Sequence, residues 1–175
     1  MEKIKIKRTH GGKVERNTEL DSGYDVFAMG YRQVLNGELL DPIWFDESPI
    51  SKNRVGINSD ETILILTGIQ MRLPKPKELE NGYRTLEAQI RGRSGMSLKT
   101  DTSVKLGTVD NEYVGIYGVI FKNESNKTYI VDKGDKIAQV VFNEVYIPKE
   151  SGTEFVDDFD EDTDRGNGGF GKSGK

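Results

Sequence analysis

The sequence predicts an all-β fold, a sandwich or barrel of short strands, on three observations. Apolar and polar residues alternate with a period of two in KIKIK (3–7) and TLEAQIR (85–91). Other apolar runs are rich in β-branched and aromatic residues, with turn-forming clusters between them. No window of helical length sustains the helical period.

Taken along the chain, the elements follow from those patterns. In KIKIK, Ile4 and Ile6 alternate with lysines. ETILILTGIQMRL (61–73) is a long β-branched run. TLEAQIR sets Leu86, Ala88 and Ile90 on one face and Glu87, Gln89 and Arg91 on the other. YVGIYGVIF (113–121), TYIV (128–131) and KIAQVVFNEVYI (136–147) complete the strand-like runs. The clusters ENG, KNESNK and DKGDK punctuate them as turns.

Two segments stand apart and divide the chain into a barrel over 1–150 and an arm over 151–175. Residues 36–60 mix Pro, Gly and acidic residues with the chain's single tryptophan and read as a long loop or small insertion. The arm is rich in Gly, Asp and Ser, and its only large apolar groups are Phe155, Val156, Phe159 and Phe170. It is too polar to build a core of its own.

Composition narrows the chemistry. The 175 residues are enough for one domain with a real core. Charged residues make up 31% and the net charge is −4, so no general attraction to nucleic acid or to an anionic membrane is expected. The chain has no cysteine and one histidine, His10, read as a surface residue. Disulfides and thiolate chemistry are excluded, and acyl-transfer triads and His-rich metal sites are poor candidates. The start, MEKIKIK, lacks the apolar run of a signal peptide, so the cytoplasm (a host cell's, for a viral copy) is the expected location.

What remains is carboxylate chemistry beside phosphate-binding donors. The C-terminal GNGGFGKS (166–173) fits the template G-x-x-x-x-G-K-S/T. The context of a nucleotide-triphosphatase loop is missing, however. The preceding DDFDEDTD carries six carboxylates in eight positions, and only Gly174 and Lys175 follow Ser173. No strand delivers the loop and no helix begins at its end. On composition alone a solvated tail is the simpler reading, although its donors suit closure over an anion.

Four further stretches draw attention. DSGYDVFA (21–28) places Asp25 after a Gly turn, and RGRSGMSLK (91–99) clusters Arg91, Arg93, Ser94 and Lys99 around two glycines. GTVDNEYVG (107–115) carries Asp110 and Tyr113 between glycines, and KGDKIAQ (133–139) runs from a tight turn into an apolar strand. Each taken singly is compatible with an ordinary turn.

Taken together and in order, SGYDVFA (22–28), GRSGMSLK (92–99), GTVDNEYVGIYG (107–118), KGDKIAQ (133–139) and DRGNGGFGKSG (164–174) resemble the five motifs of the trimeric dUTPase family. They span residues 22 to 174. The resemblance implies a jelly-roll-like distorted barrel assembled as a homotrimer, with active sites at subunit interfaces and the arm of one subunit closing a site built by others. It implies hydrolysis of dUTP to dUMP and pyrophosphate, limiting uracil in DNA. Asp110 would activate the attacking water, and Asp25 would lie on the Mg²⁺ side through metal-bound water. Arg93, Ser94 and Gly95 would bind the α/β phosphate region, with Gln139 on phosphate oxygens or their waters. Arg165, Lys172 and Ser173 would hold the β and γ phosphates, and Phe170, flanked by Gly169 and Gly171, would stack on uracil. Main-chain groups at Gly107 and Gly118 would pair with the uracil edge, while Tyr113 would exclude a ribose 2′-hydroxyl.

Three departures from the family pattern stand out. Lys172 replaces a small or polar residue, SVKL (103–106) lacks an asparagine some members use to read uracil, and 36–60 exceeds the compact core. A dCTP deaminase shares the fold but would lack the terminal arm. A regulatory protein partner is a second expectation for 36–60, with Ile43, Trp44 and Phe45 as anchor. Packing of that segment on its own barrel is the plainer alternative.

Overall fold

The computed structural model describes residues 2–47 and 53–157. The expectation of an all-β chain holds. The first strands are β1 (Lys5–Arg8), β2 (Val14–Glu15), β3 (Gly23–Phe27) and β4 (Gly30–Arg32). The region of the insertion contributes β5 (Val34–Leu35), β6 (Glu38–Leu39), β7 (Ile43–Trp44) and β8 (Arg54–Ile57). The long strands follow as β9 (Thr62–Arg72), the short β10 (Lys77–Leu79) and β11 (Gly82–Arg91). A short helix, α1 (Ser94–Thr100), leads to β12 (Thr102–Val104), β13 (Gly107–Val109) and β14 (Ile116–Asn123). The barrel closes with β15 (Tyr129–Asp132) and β16 (Lys136–Pro148).

Two six-stranded sheets face each other. One runs β12-β14-β9-β4-β7 with β1 also on β9, and the other runs β10-β11-β16-β3-β2 with β13 also on β11. The alternation in the sequence decides which side of each strand meets the other sheet. Ile63, Ile65, Val119 and Phe121 from one sheet pack with Val26, Ala88, Ile90 and Val140 from the other. Burying such side chains contributes on the order of 1.5–3 kcal/mol each.

The strand β9 changes course at Gly68, whose φ is +66°. A side chain there would run into the Thr9 carbonyl, and one at Gly12 into Gly68 itself, so the two glycines let the N-terminal turn lie against β9. The Thr67 hydroxyl bridges the irregularity by donating to the Tyr117 carbonyl at 2.7 Å and accepting from the Ile69 amide at 3.2 Å. This is where β14 also shifts register, between Ile116 and Gly118.

Residues 36–60 are not a free loop. β7 pairs with β4, β8 pairs with β15, and Phe45, Val55 and Ile57 enter the core. Trp44 and Phe45 are 8% and 1% exposed, which removes them as a surface anchor. His10 is likewise not a plain surface residue. Its ring lies 3.7 Å from that of Trp44 at an interplanar angle of 5°, and its Nδ1 is 2.8 Å from Glu47 Oε1. The packing alternative for the segment is therefore the one the described residues follow.

At the end of β14, Asn123 is fully buried and joins three segments. Its amide donates to the carbonyls of Ile57 (2.9 Å), Asn58 (3.1 Å) and Lys127 (2.7 Å), and its oxygen accepts from the Ser125 amide and hydroxyl. Asn123→Ala removes all five bonds and takes the side-chain donor from the carbonyl of buried Ile57, while the Asn58 carbonyl keeps the Glu61 amide and the Lys127 carbonyl the Ser125 hydroxyl, and a loss of about 2 kcal/mol is expected in urea unfolding. A loss near zero would mean that water takes over the amide's role.

Candidate functional site

Two clefts divide the expected site residues between them. The first opens between β2, β3, β16 and the loop before α1, with a volume of about 310 Å³, and includes Asp25, Arg93, Ser94, Gly95 and Gln139. Antiparallel register places Asp25 opposite Gln139, and Gln139 opposite Arg91. Gly23 leaves room beside them, since a Cβ at that position would stand 2.6 Å from Gln139 Oε1 and make the glutamine amide shift. The Gln139 amide leans toward the Gly92 carbonyl at 3.5 Å.

Asp25 is mostly buried and neutralised from two sides. Its Oδ1 is 3.0 Å from Arg93 Nε and its Oδ2 is 3.0 Å from Lys136 Nζ. Lys136 also reaches Glu15 Oε2 at 3.5 Å. The hydrogen bond to Asp25 holds the Lys136 ammonium above its ordinary pKa, so it stays charged throughout the neutral range. Arg93 Nη1 donates to the Lys136 carbonyl at 3.3 Å, which fixes the guanidinium against β16. Ser94 and Gly95 begin α1 and are exposed.

Residues with no role in the sequence reading stand in this cleft or directly beside it. Lys136 lies inside the KGDKIAQ stretch, but its pairing with Asp25, far away in sequence, has no local signal. Arg16 and Asp21 line the cleft from the loop between β2 and β3. The Asp21 carboxylate accepts from the Thr18 hydroxyl at 2.7 Å and from the Asn17 and Thr18 amides at 2.9 and 3.2 Å. The Thr18 hydroxyl is the chief reason its carboxyl sits below the usual range.

The second cleft, also about 310 Å³, lies between β13 and β14 and includes Gly107, Asp110, Tyr113, Tyr117 and Gly118. β13 pairs with β11 alone, and β12 covers β14 only from Phe121 onward, so main-chain edges stay open beside it among the described residues. A Cβ at Gly107 would meet only Ile90, at 4.0 Å, so glycine there leaves the cleft floor clear rather than relieving a clash. At Gly118 the reverse holds, since a Cβ would stand 2.7 Å from Leu64.

Asp110 is exposed at the head of a turn closed by the Tyr113 amide on its carbonyl at 3.1 Å. The next residue pins that turn, since the Asn111 amide donates to the carbonyls of Pro74 (2.9 Å) and Leu86 (3.2 Å). The Tyr113 ring folds back over Gly115, where any side chain would collide with it, and its hydroxyl donates to the Ile116 carbonyl at 3.0 Å. Beneath it, the Tyr117 hydroxyl is buried without a hydrogen-bond partner among the described residues, and burial pushes its pKa up to about 12. Asn111 and Gly115 stand inside the third motif, yet their work is visible only in three dimensions.

No residue lines both clefts. The remaining expected residues, Arg165, Gly169, Phe170, Gly171, Lys172 and Ser173, lie outside the described residues. Among the described residues no three His, Asp or Glu side chains gather as a metal cage, and no helix is long and apolar enough to cross a membrane. Asp25 remains able to accept from metal-bound water, because each of its oxygens keeps a lone pair beyond its ion pair. That donor set fits a hydrated Mg²⁺ carried mainly by phosphates, and does not fit a protein-only site.

The comparisons with known proteins show the chain's family. A dUTPase family model matches residues 51–174. A deoxyuridine 5′-triphosphate nucleotidohydrolase of Heliobacterium modesticaldum is 35% identical over 176 residues, 98% of this chain and 96% of its own. One from Clostridium tetani is 40% identical over 121 residues, covering 68% of this chain and 74% of that one. Among solved structures, a mutant Staphylococcus bacteriophage 80alpha dUTPase with dUpNHpp aligns over 100% of both chains with a TM-score of 0.73 at 22% identity. A mutant dUTPase of phage phi11 of S. aureus, described with a structural Mg(II) ion, covers 91% of this chain and 100% of its own with a TM-score of 0.66 at 20% identity. With a family model over most of its length and a relative 35% identical across nearly all of it, the chain belongs to the dUTPase family.

Proposed function

We propose that this protein hydrolyses dUTP to dUMP and pyrophosphate in sites shared between subunits of a homotrimer. The observation that carries the shared-site reading is the separation of the two clefts. One holds cations and amide donors suited to phosphates, and the other holds a carboxylate and open backbone edges, with no lining residue in common. A nucleotide needs both halves at once, and a neighbouring copy supplies the missing one.

The chemistry follows from the residues. Asp110 accepts a proton from a water as that water's oxygen attacks the α-phosphorus, and the bond from the α-phosphorus to the bridging oxygen breaks to release pyrophosphate. The pinned turn at Asn111 holds the carboxylate in place. Arg93, Ser94, Gly95 and Gln139 receive the phosphates, and Arg93 has to exchange part of its contact with Asp25 for them. Asp25 would hold Mg²⁺ through metal-bound water, and the ion would supply charge neutralisation to the triphosphate. Backbone groups near Gly107 and Gly118 read the uracil edge, and Tyr113, braced on Ile116, closes the space beside the sugar.

The arm, 151–175, closes over the nucleotide through Arg165, Gly169, Phe170, Gly171, Lys172 and Ser173. Phe155 points fully into solvent where the chain leaves the barrel, which supports an arm that finds its contacts on another surface. A cytoplasmic location goes with this reading. A protein partner at 36–60 would have to use exposed groups such as Leu39 and Leu40, since Trp44 and Phe45 are taken.

The test is pyrophosphate release from dUTP, dCTP, dTTP and UTP, with Mg²⁺ and with a chelator, alongside the mass in solution. Release from dUTP alone, suppressed by the chelator, is expected from a particle three times the 19.6 kDa chain. A fully active monomer would remove the shared-site reading.

A further inference from the structure

The loop between β2 and β3 is built as firmly as the strands it joins. Asp21 spends its carboxylate on the Asn17 and Thr18 amides and the Thr18 hydroxyl, which closes the turn. Arg16 stands at the mouth of that turn. Its guanidinium carbon lies 4.4 Å from the centre of the Tyr24 ring, and its Nη1 donates to the Glu19 carbonyl at 3.0 Å. Tyr24 is itself braced edge-on by Phe142. The guanidinium is thus held on a flat platform and against one carbonyl, facing the cleft that contains Arg93, Ser94 and Gln139.

Arg16 and Arg93, which line that cleft, and Lys136, which reaches Asp25 from beside it, differ in what they are already doing. Arg93 and Lys136 both contact Asp25, and Lys136 contacts Glu15 as well. An arriving phosphate has to compete with those carboxylates. Arg16 has no carboxylate within ion-pair distance among the described residues, the nearby Asp21 being turned into its own loop. Of its five N–H donors, one is used. It is the cation of the cleft positioned in advance and held in no ion pair among the described residues, with Asp21 near enough to act on it only at longer range.

We propose that Arg16 is a further substrate-binding residue, holding the part of the triphosphate that lies beyond the α-phosphate. The proposal rests on the dUTPase reading for its substrate but not for its chemistry, which is recognition of a polyphosphate chain by a planar fork of donors. Because the contact is made to a group that binds before and during reaction alike, it acts on affinity rather than on the chemical step. Tyr24 acts through Arg16, as a positioning residue.

The measurement is calorimetric binding of inorganic tripolyphosphate and of dUMP to wild-type protein and to Arg16→Gln, with steady-state kinetics on dUTP in parallel. Arg16→Gln is expected to weaken tripolyphosphate by about 10- to 100-fold, and to raise KM for dUTP similarly with kcat little changed. Binding of dUMP is expected to stay within about twofold. Arg16→Lys, which keeps the charge but loses the fork and the stack, falls between. Unchanged tripolyphosphate affinity, or equal weakening of dUMP, would overturn the assignment. If Arg16→Gln fails to fold, Tyr24→Leu carries the test: it frees the guanidinium from its platform and should weaken tripolyphosphate several-fold, no change counting against the proposal. Wild-type protein that binds tripolyphosphate through Arg16 yet leaves dUTP intact would overturn the hydrolase reading and leave the anion site standing.

Discussion

Asp110→Asn is expected to bind dUTP almost as the wild type does and to turn it over about 100- to 10,000-fold more slowly, the range that loss of a positioned general base produces. The substitution keeps the shape of the side chain and exchanges a proton acceptor for a group that cannot take the water's proton. Nothing structural should follow, because Asp110 is exposed and its turn is held by its neighbour, Asn111, and by the main-chain bond from Tyr113. Single-turnover pyrophosphate release separates this from a defect in binding. A rate near wild type would show that the carboxylate does not activate the water, and another acceptor would have to be sought around the cleft between β13 and β14.

The second large effect is expected from ending the chain after Asp164. The truncated protein should keep its mass in solution and its melting temperature, since every described core residue lies before that point. Its kcat/KM for dUTP should fall by about two orders of magnitude or more, because Arg165, Lys172 and Ser173 are lost as donors to the phosphates. Of the cations left behind, Arg93 and Lys136 share Asp25, so an arriving phosphate meets competition from that carboxylate. Full activity in the truncated chain would reduce the arm to an appendage.

The long strands were legible because each carries its own period. β9, β11 and β16 lie where alternation or β-branched runs place them, whereas β14 begins at Ile116 instead of Tyr113 because the Asp110–Tyr113 turn claims the residues before it. The short strands β2, β4, β7 and β13 were not legible. Two or three residues cannot display a period, and what makes them strands is a partner elsewhere in the chain. The seven-residue α1 was missed for the same reason, having no buried face to impose a pattern. Of the candidate site, the motifs revealed Asp25, Arg93, Gln139 and Asp110. They could not reveal that Lys136 turns onto Asp25, that Asn111 pins the Asp110 turn, or that Arg16 reaches the phosphate-side cleft. The first two depend on contacts between segments distant in sequence, and the third on where strand pairing sets Arg93 and Gln139 around the cleft. For 36–60 the composition, dominated by Pro and acidic residues, leaves loop and insertion open, and among the described residues Trp44, Phe45, Val55 and Ile57 pack it onto the barrel.

The stack of His10 on Trp44 has a consequence for how the protein can be watched. With one tryptophan in the chain, indole emission reports on the seam between the N-terminal turn and the inserted segment, and that seam lines neither cleft. Fluorescence and far-ultraviolet dichroism therefore follow different parts of the molecule. Their coincidence on heating is the condition under which insertion and barrel can be treated as a single cooperative unit.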